Sequence, residues 1–172
     1  MSLSHYRFPK NLTEFDDIVE AMQTNPYYRP YYVTHYCWGQ IARTCGLIVA
    51  EPSVATLNLG EVVHVSLDST YAVAPNPFLQ IATAIADIGG ASIILASAFM
   101  IRRTTSAYTK FLQAIKEKYP TLKPKFWMTD YENALMRATR NVFPESEHHC
   151  CRFHYGQALF RKTVGKLLTK SI

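Results

Sequence analysis

From residue 62 onward, strand-like and helix-like segments follow one another in an order that strongly limits the fold. Three β-rich segments come first, at residues 62–73, 78–86 and 91–101. Short breaks separate them, the first at Pro75-Asn76-Pro77 and the second at Gly89-Gly90. Strands joined by such short turns cannot run parallel, so the three segments are predicted to form an antiparallel meander.

Helices then alternate with shorter strands. Apolar residues recur at helical spacing in 105–119, 132–143 and 156–170, with strand-like segments at 125–129 and 148–153 between them. Strands that are entered through helices are expected to lie parallel to the first strand. The resulting order, β-β-β-α-β-α-β-α, predicts an α/β domain with a ribonuclease-H-like mixed five-stranded sheet and flanking helices. In that topology the first and fourth strands are neighbours.

The region upstream of this pattern is less regular. Residues 12–22 have helical character, 31–38 are rich in aromatic and β-forming residues, and 39–50 fit either a helix or a strand. We therefore divide the chain into an N-terminal lead-in region, 1–46, and a partial ribonuclease-H-like domain, 47–172.

Composition excludes several classes of protein. Apolar residues make up 48% of the 172 and charged residues 18%, which suits a chain with a buried core and excludes a disordered one. The most apolar stretch, 81–101, contains Asp87 and Gly89-Gly90 near its middle, so two strands are favoured over a membrane helix. The polar N-terminus does not resemble a secretory signal, so the four cysteines are expected to be reduced thiols or metal ligands.

All of the excess positive charge lies in the last part of the sequence. The net charge is +5, and the last 25 residues contain five Lys and Arg with no Asp or Glu. Lys162, Lys166 and Lys170 fall at helical spacing beside an apolar face, and Arg161 lies next to them. Such a stripe suits contact with the phosphates of DNA, and it equally suits an ordinary solvated helix face.

Two aspartates stand at matching places in the predicted sheet. Asp68 lies within the first strand and Asp130 directly after the fourth, so the topology brings them together across 62 positions of sequence. Adjacent carboxylates repel each other, and a divalent cation removes that cost. Mg²⁺ prefers oxygen ligands and commonly uses one or two carboxylates, with water and phosphate completing its shell. Metals held in this way can align the attacking and leaving oxygens in phosphodiester chemistry.

A structural role explains the same two residues. Asp130 precedes the helix predicted from Glu132, and Asp is common as a cap at that place. Asp68 can equally be an exposed acid of a strand. Both alternatives stay open at this point.

The densest cluster of reactive side chains is the run HHCCRFH at 148–154. Cys151 and His154 have the CxxH spacing of two ligands of one zinc ion. Zinc needs four ligands, and nothing in the sequence places the remaining candidates nearby: Cys37, Cys45, His35 and His5. The alternative is a buried thiol and a hydrogen-bonded histidine between a strand and a helix.

Three blocks of the sequence resemble Mutator-like element (MULE) transposases. The run LDSTY at 67–71, with the Ala74-Pro75 and FLQ (78–80) that follow it, is similar to the first-aspartate block of that family. Thr129-Asp130 and the residues up to Pro144 resemble the second-aspartate block. Cys151-x-x-His154, followed by QAL at 157–159, resembles the CxxH block, and the likeness extends over residues 47–165.

The resemblance implies a DDE-type transposase core that cuts DNA at element ends and joins the 3′ ends to a target. It implies Mg²⁺ or Mn²⁺ as the cofactor, DNA as the partner and the nucleus as the location. Asp68 and Asp130 correspond to the first two catalytic metal ligands. For Cys151 and His154 the resemblance implies a structural or DNA-related role.

The sequence departs from the family pattern in two places. Ser69 occupies a position where the family often has glycine. More importantly, no Asp or Glu follows Glu147, so the third carboxylate is missing from its expected place. Glu132, Glu145 and Glu147 precede the CxxH motif and belong to another part of the predicted topology.

Three functions fit these observations. The chain is a C-terminally truncated transposase, a domesticated non-catalytic domain that binds DNA or protein, or a generic Mg²⁺-dependent ribonuclease-H-like nuclease. The run TVGKLLTKSI ends in a helical pattern without a capping glycine, which favours the first function. A missing C-terminal segment or self-association is then expected to cover the apolar face of the last helix, and these 172 residues are expected to be inactive alone.

Overall fold

The computed structural model describes residues 32–37, 44–50, 52–74 and 78–169, together with Thr24. The helix predicted at 12–22 lies outside these residues. The described strands are β1 (Tyr32–Cys37), β2 (Thr44–Ala50), β3 (His64–Thr70), β4 (Gln80–Ile88), β5 (Ala91–Met100), β6 (Phe126–Thr129) and β7 (Glu147–Cys150). The described α-helices are α1 (Thr105–Lys118), α2 (Asn133–Val142) and α3 (Arg152–Thr169), and two short 3₁₀ turns, Pro52–Thr56 and Leu59–Glu61, lead into β3.

The predicted meander is confirmed. β3 pairs antiparallel with β4, and β4 pairs antiparallel with β5. The hairpin between β4 and β5 turns at Gly89 and Gly90, whose φ angles are 58° and 83°. Residues with side chains are strained at such angles, and glycine is not, so the two glycines allow the tight connection.

The parallel part of the sheet is confirmed as well. β6 lies parallel to β3, with Leu67 opposite Thr129, and β7 lies parallel to β6, with Thr129 opposite Cys150. Each of these strands is entered through a helix, as is usual for parallel strands. The first strand of the meander and the strand after α1 are therefore neighbours, as the sequence predicts.

The number of strands is a correction to the predicted five. The described residues form one seven-stranded mixed sheet in the order β1-β2-β5-β4-β3-β6-β7. The two additional strands come from the irregular upstream region and pair antiparallel with each other, and β2 then pairs with β5. Residue 46, where the predicted lead-in region ends, lies inside β2. The division into two regions stays a prediction.

The last strand and last helix meet earlier in the sequence than predicted. β7 ends at Cys150, and α3 begins at Arg152 instead of residue 156. The backbone N–H of Tyr155 donates to the carbonyl of Cys151 at 3.1 Å, which is the first turn of the helix. The CxxH motif therefore spans the junction of a strand and a helix, and His154 lies in the first turn of α3.

One face of the sheet packs against α1 and α2 and forms the main core. Along β4, small residues alternate inward, and α1 places large side chains against them. β5 has a bulge opposite Ala84 and Ile85, which explains why two consecutive residues, Leu95 and Ala96, are both buried. The fully buried large side chains of this core include Trp127, Tyr108, Tyr119, Phe111 and Phe143.

A second, smaller cluster lies at the β2–β5 end of the sheet. Leu47 and Phe78 are buried there, with Val49, Phe99 and Ile101 partly buried around them. Consecutive residues of a strand point to opposite faces of a sheet, and Ile48, next to Leu47, belongs to the main core. The smaller cluster therefore lies on the opposite face. Among the described helices, none is long and apolar enough to cross a membrane.

Candidate functional site

The two predicted aspartates occupy matching positions on adjacent parallel strands. Leu67 of β3 pairs with Thr129, the last residue of β6; Asp68 is the next residue of β3, and Asp130 directly follows β6. Neighbouring strands are about 4.8 Å apart, so the two carboxylates start from backbone positions separated by one strand spacing. Val65 and Leu67 are buried in the main core, so alternation places Asp68 on the opposite face, where its side chain is 63% exposed.

Each aspartate also accepts a local hydrogen bond from the backbone. Asp68 Oδ1 accepts from the N–H of Ser69 at 2.9 Å, and Asp130 Oδ1 accepts from the N–H of Glu132 at 2.9 Å. Glu132 is the N-cap residue of α2 and makes no side-chain capping bond itself. Asp130 therefore shapes the entry to α2, and this structural role coexists with its place beside Asp68.

Glu132 lies next to the site, which the sequence reasoning missed. Its carboxylate is nearly buried, with 12% of the side chain exposed. Tyr108 Oη donates to Glu132 Oε2 at 2.8 Å, and Arg103 Nε donates to Oε1 at 3.3 Å. Because both oxygens are engaged, Glu132 serves as an anchor for the Asp130 segment. The spacing of two residues after Asp130 was the available signal for its proximity.

The hydrogen bonds that hold Glu132 continue into the core through Tyr108. Gln80 Nε2 donates to Tyr108 Oη at 2.6 Å, and both residues are completely buried. Burial raises the pKa of Tyr108 far above that of a free phenol, and the nearby Glu132 adds to this rise. Tyr108 thus stays a neutral hydroxyl that donates to Glu132, and a chain of hydrogen bonds runs from β4 through α1 to the residues after Asp130.

Tyr71 adjoins the same carboxylates from the segment after β3. Burial raises the pKa of its phenol, and the negative charges of Glu132, Asp130 and Asp68 raise it further, while Arg103 opposes them. The guanidinium of Arg103 lies over the Tyr71 ring, 4.8 Å from its centre. The ends of β3, β5 and β6 therefore converge at one place, with three carboxylates, one guanidinium and the phenols of Tyr71 and Tyr108.

The CxxH motif reaches the site from the other side. His154 Nε2 lies 3.7 Å from Asp68 Oδ1, and 30% of its side chain is exposed. The backbone N–H of Cys151 donates to the carbonyl of Thr129 at 2.7 Å, which carries the β6–β7 pairing one residue further. The proximity of His154 to the first aspartate is not visible in the sequence spacing, because it depends on the early start of α3.

The other zinc-ligand candidates do not meet this motif. Cys37 and His35 lie in β1, and Cys45 lies in β2, at the opposite end of the sheet from β7. Five or six strand spacings separate them from Cys151, which amounts to about 24 Å or more. His5 lies outside the described residues. Within the described ranges, no group of three or more His, Cys, Asp or Glu is arranged to hold a metal ion.

The predicted basic stripe belongs to α3, and most of the side chains described from 152 to 164 are exposed. Arg161 and Lys162 are exposed, Lys166 lies further along the same helix, and Lys170 lies outside the described residues. Large apolar side chains accompany the basic ones, with Phe153 70% and Phe160 68% exposed. A shallow groove of about 620 Å³ runs along this face, lined by Arg152, Phe153, Gly156, Gln157 and Phe160.

Comparison with known proteins gives a match to one family model and distant similarity to solved structures. No curated protein matches the chain. Among solved structures, it is similar to a chain of the cryo-EM structure of the simian T-cell lymphotropic virus intasome in complex with PP2A regulatory subunit B56 gamma, with 17% identity and a TM-score of 0.38. The match covers 90% of this chain and 51% of that one, so this chain spans about half its length.

The family match coincides with the site. The model of the MULE transposase domain matches residues 64–158, which is more than half of the 172 residues. The matched segment begins at the first residue of β3 and ends within α3, so it contains both aspartates and the CxxH motif. The chain belongs to the MULE transposase domain family.

Proposed function

We propose that this domain is a ribonuclease-H-like core of a DNA transposase, of the DDE type, whose site is built on Asp68 and Asp130. The observation that carries the proposal is the register of β3 and β6, which gives the two aspartates matching positions on adjacent parallel strands. A sheet in which an antiparallel meander is followed by two parallel strands, with the first and fourth strands adjacent, supports the fold assignment.

The donors present fit one divalent cation, Mg²⁺ or Mn²⁺. Asp68 and Asp130 each use Oδ1 for a backbone hydrogen bond, and carboxylate oxygens are the ligands that hard cations prefer. Such a cation, when bound, polarises a phosphoryl oxygen and offsets the repulsion between the carboxylates. Within this site, Asp130 is positioned by the Glu132 N–H, and Glu132 in turn by Tyr108 and Arg103.

DNA is the proposed partner, and α3 is its proposed contact. Arg161, Lys162, Lys166 and Lys170 provide the charge, and the first turn of this helix places His154 beside Asp68. A DNA strand that runs along α3 toward the N-terminus of the helix would therefore reach the carboxylate pair. Zinc bound by Cys151 and His154 remains a secondary proposal. A nuclear location is proposed as well, on the resemblance to the family alone.

Strand cleavage by the 172-residue chain is not part of the proposal. No acid follows Glu147 in this sequence, and the oxygens of Glu132 are already engaged by Tyr108 and Arg103. Two carboxylates are a poor frame for the in-line geometry that phosphodiester transfer needs. We propose that the chain binds the cation and DNA without appreciable cleavage, which is also how a domesticated binding domain would behave.

Cation binding tests the proposal directly. We expect Mn²⁺ to bind the wild-type chain with one site, as measured by electron paramagnetic resonance, and Mg²⁺ to compete for it. Asp68→Asn and Asp130→Asn should each weaken Mn²⁺ binding by about tenfold or more, because each removes one charged oxygen ligand. The matched control is Asp87→Asn in β4, an exposed strand acid that accepts from Ser92 instead. Equal Mn²⁺ affinity in all four proteins would refute the site.

A further inference from the structure

We propose that Arg103, together with Tyr71, forms a binding site for a phosphodiester group of DNA beside the Asp68–Asp130 pair. This inference rests on the proposed function, since it assigns a second contact of the same DNA. Arg103 carries it because of its place in the fold, the way its guanidinium is held, and the donors that it still offers.

Arg103 bridges the two segments that carry the aspartates. It lies between β5 and α1, and its guanidinium contacts Tyr71, three residues after Asp68, and Glu132, two residues after Asp130. The distance to the centre of the Tyr71 ring is 4.8 Å, and Nη2 lies 3.3 Å from Glu132 Oε2. A ligand group bound by this guanidinium therefore lies at the edge of the carboxylate pair.

The guanidinium is held in one orientation while much of the side chain is exposed. Nε and Nη2 both contact the Glu132 carboxylate, and the ring of Tyr71 fixes the plane of the group. The side chain of Arg103 is nevertheless 47% exposed. An arginine that is already ordered loses little conformational entropy when it binds a ligand, which makes it an effective anchor.

The remaining donors suit a phosphate. A guanidinium has five N–H groups in a planar fork, and Nη1 makes no hydrogen bond or ion pair with the described residues. Planar forks of this kind bind phosphate oxygens with short, charge-assisted hydrogen bonds. The exposed Tyr71 ring next to it offers a surface on which a sugar or base can pack.

The local charges explain why such a contact is needed. Asp68, Asp130 and Glu132 are all negative and repel a DNA strand. A bound cation offsets part of this repulsion on one side of the pair, and Arg103 offsets it on the other. DNA that reaches the carboxylates from α3 thus meets a second positive group beyond them, and its backbone is held at both ends of the site.

The test compares two neighbouring arginines. Binding of a short fluorescein-labelled DNA duplex is measured by anisotropy in excess Mg²⁺ over a range of salt concentrations. Arg103→Gln should weaken binding by about tenfold, which is the scale of one lost charge-assisted contact. It should also reduce the salt slope by about 0.9. Arg102→Gln removes the same charge one residue away and is exposed, so it is the matched control and should change both quantities much less.

A second variant distinguishes loss of the phosphate contact from a general folding defect. Arg103→Lys keeps the charge but not the planar fork, so it should keep the salt slope and lose affinity by about threefold. Affinity and slope in Arg103→Gln equal to those in Arg102→Gln, or wild-type affinity in Arg103→Lys, would overturn the inference. Failure of the proposed function is seen separately, as absence of Mn²⁺ binding at the aspartates in the wild-type chain.

Discussion

His148, next to the carboxylate pair, contacts the side chains of Thr129 and Arg140. The hydroxyl of Thr129 donates to the carbonyl of Asp130, so it accepts from His148 Nε2, which lies 2.8 Å away. His148 Nδ1 is then the acceptor that faces Arg140 Nη2 at 3.5 Å. Burial lowers the pKa of His148, and the positive charges of Arg140 and His149 lower it further. The folded protein therefore favours neutral His148.

This arrangement predicts a pH dependence of stability. Because the pKa of His148 is lower in the folded state, the unfolded state binds more protons just below its ordinary pKa of about 6.5. The free energy of unfolding should therefore fall as the pH drops from about 7 to 5. His148→Gln should remove part of this slope, measured by urea unfolding at several pH values, and His64→Gln, at an exposed position of β3, is the control. An unchanged slope in His148→Gln would contradict the assignment.

At the level of residues, the sequence predicts the two aspartates and misses what surrounds them. Asp68 and Asp130 were identifiable because strand topology alone sets their register. The contacts of Glu132 with Tyr108 and of His154 with Asp68 depend on side chains from α1 and α3 that meet in three dimensions. Residue spacing in a single sequence does not indicate side-chain contacts between distant segments, so these contacts could be found only from the structure.

Among the secondary structure elements, two glycines illustrate opposite requirements of the backbone. Gly90 has a φ of 83° in the β4–β5 hairpin, where Ala is strained. Gly156 lies in α3, and a Cβ added there meets nothing within 4 Å. Gly90→Ala should destabilise the protein by about 1–2 kcal/mol. Gly156→Ala should stabilise α3 by about 1 kcal/mol. Each variant is the control for the other in thermal unfolding, and shifts of the same sign would contradict the prediction.

The elements differ in how well their sequence defines them. α1 was predicted almost to the residue because Tyr108, Phe111, Leu112 and Ile115 are all buried on one face. α3 begins four residues earlier than predicted. The sequence did not indicate this first turn because it is mostly exposed and shows no apolar periodicity. β1 and β2 were not assigned to the sheet, since pairing with β5 is a long-range contact that local patterns do not encode.

At the scale of the whole molecule, the net positive charge lies in the C-terminal segment and not in the residues that form most of the sheet. All of the net charge of +5 lies in the last 25 residues, while the preceding residues balance. Lys162→Glu combined with Lys166→Glu should weaken DNA binding by well over tenfold and flatten its salt dependence, because it replaces two phosphate contacts by repulsion. Lys110→Glu combined with Lys123→Glu makes the same charge change at exposed positions elsewhere. Similar losses in both double variants would show that α3 is not the DNA contact.

The matching positions of Asp68 and Asp130 also limit how this site can vary. The ladder between β3 and β6 pairs the residues directly before them, Leu67 and Thr129, and so fixes where their backbones start. Related sequences can therefore adjust the reach of the two acids only by lengthening a side chain or reshaping the loops beyond them. The sheet keeps the spacing of the two backbones constant, so we expect sequence divergence within such domains to concentrate in the connections around it.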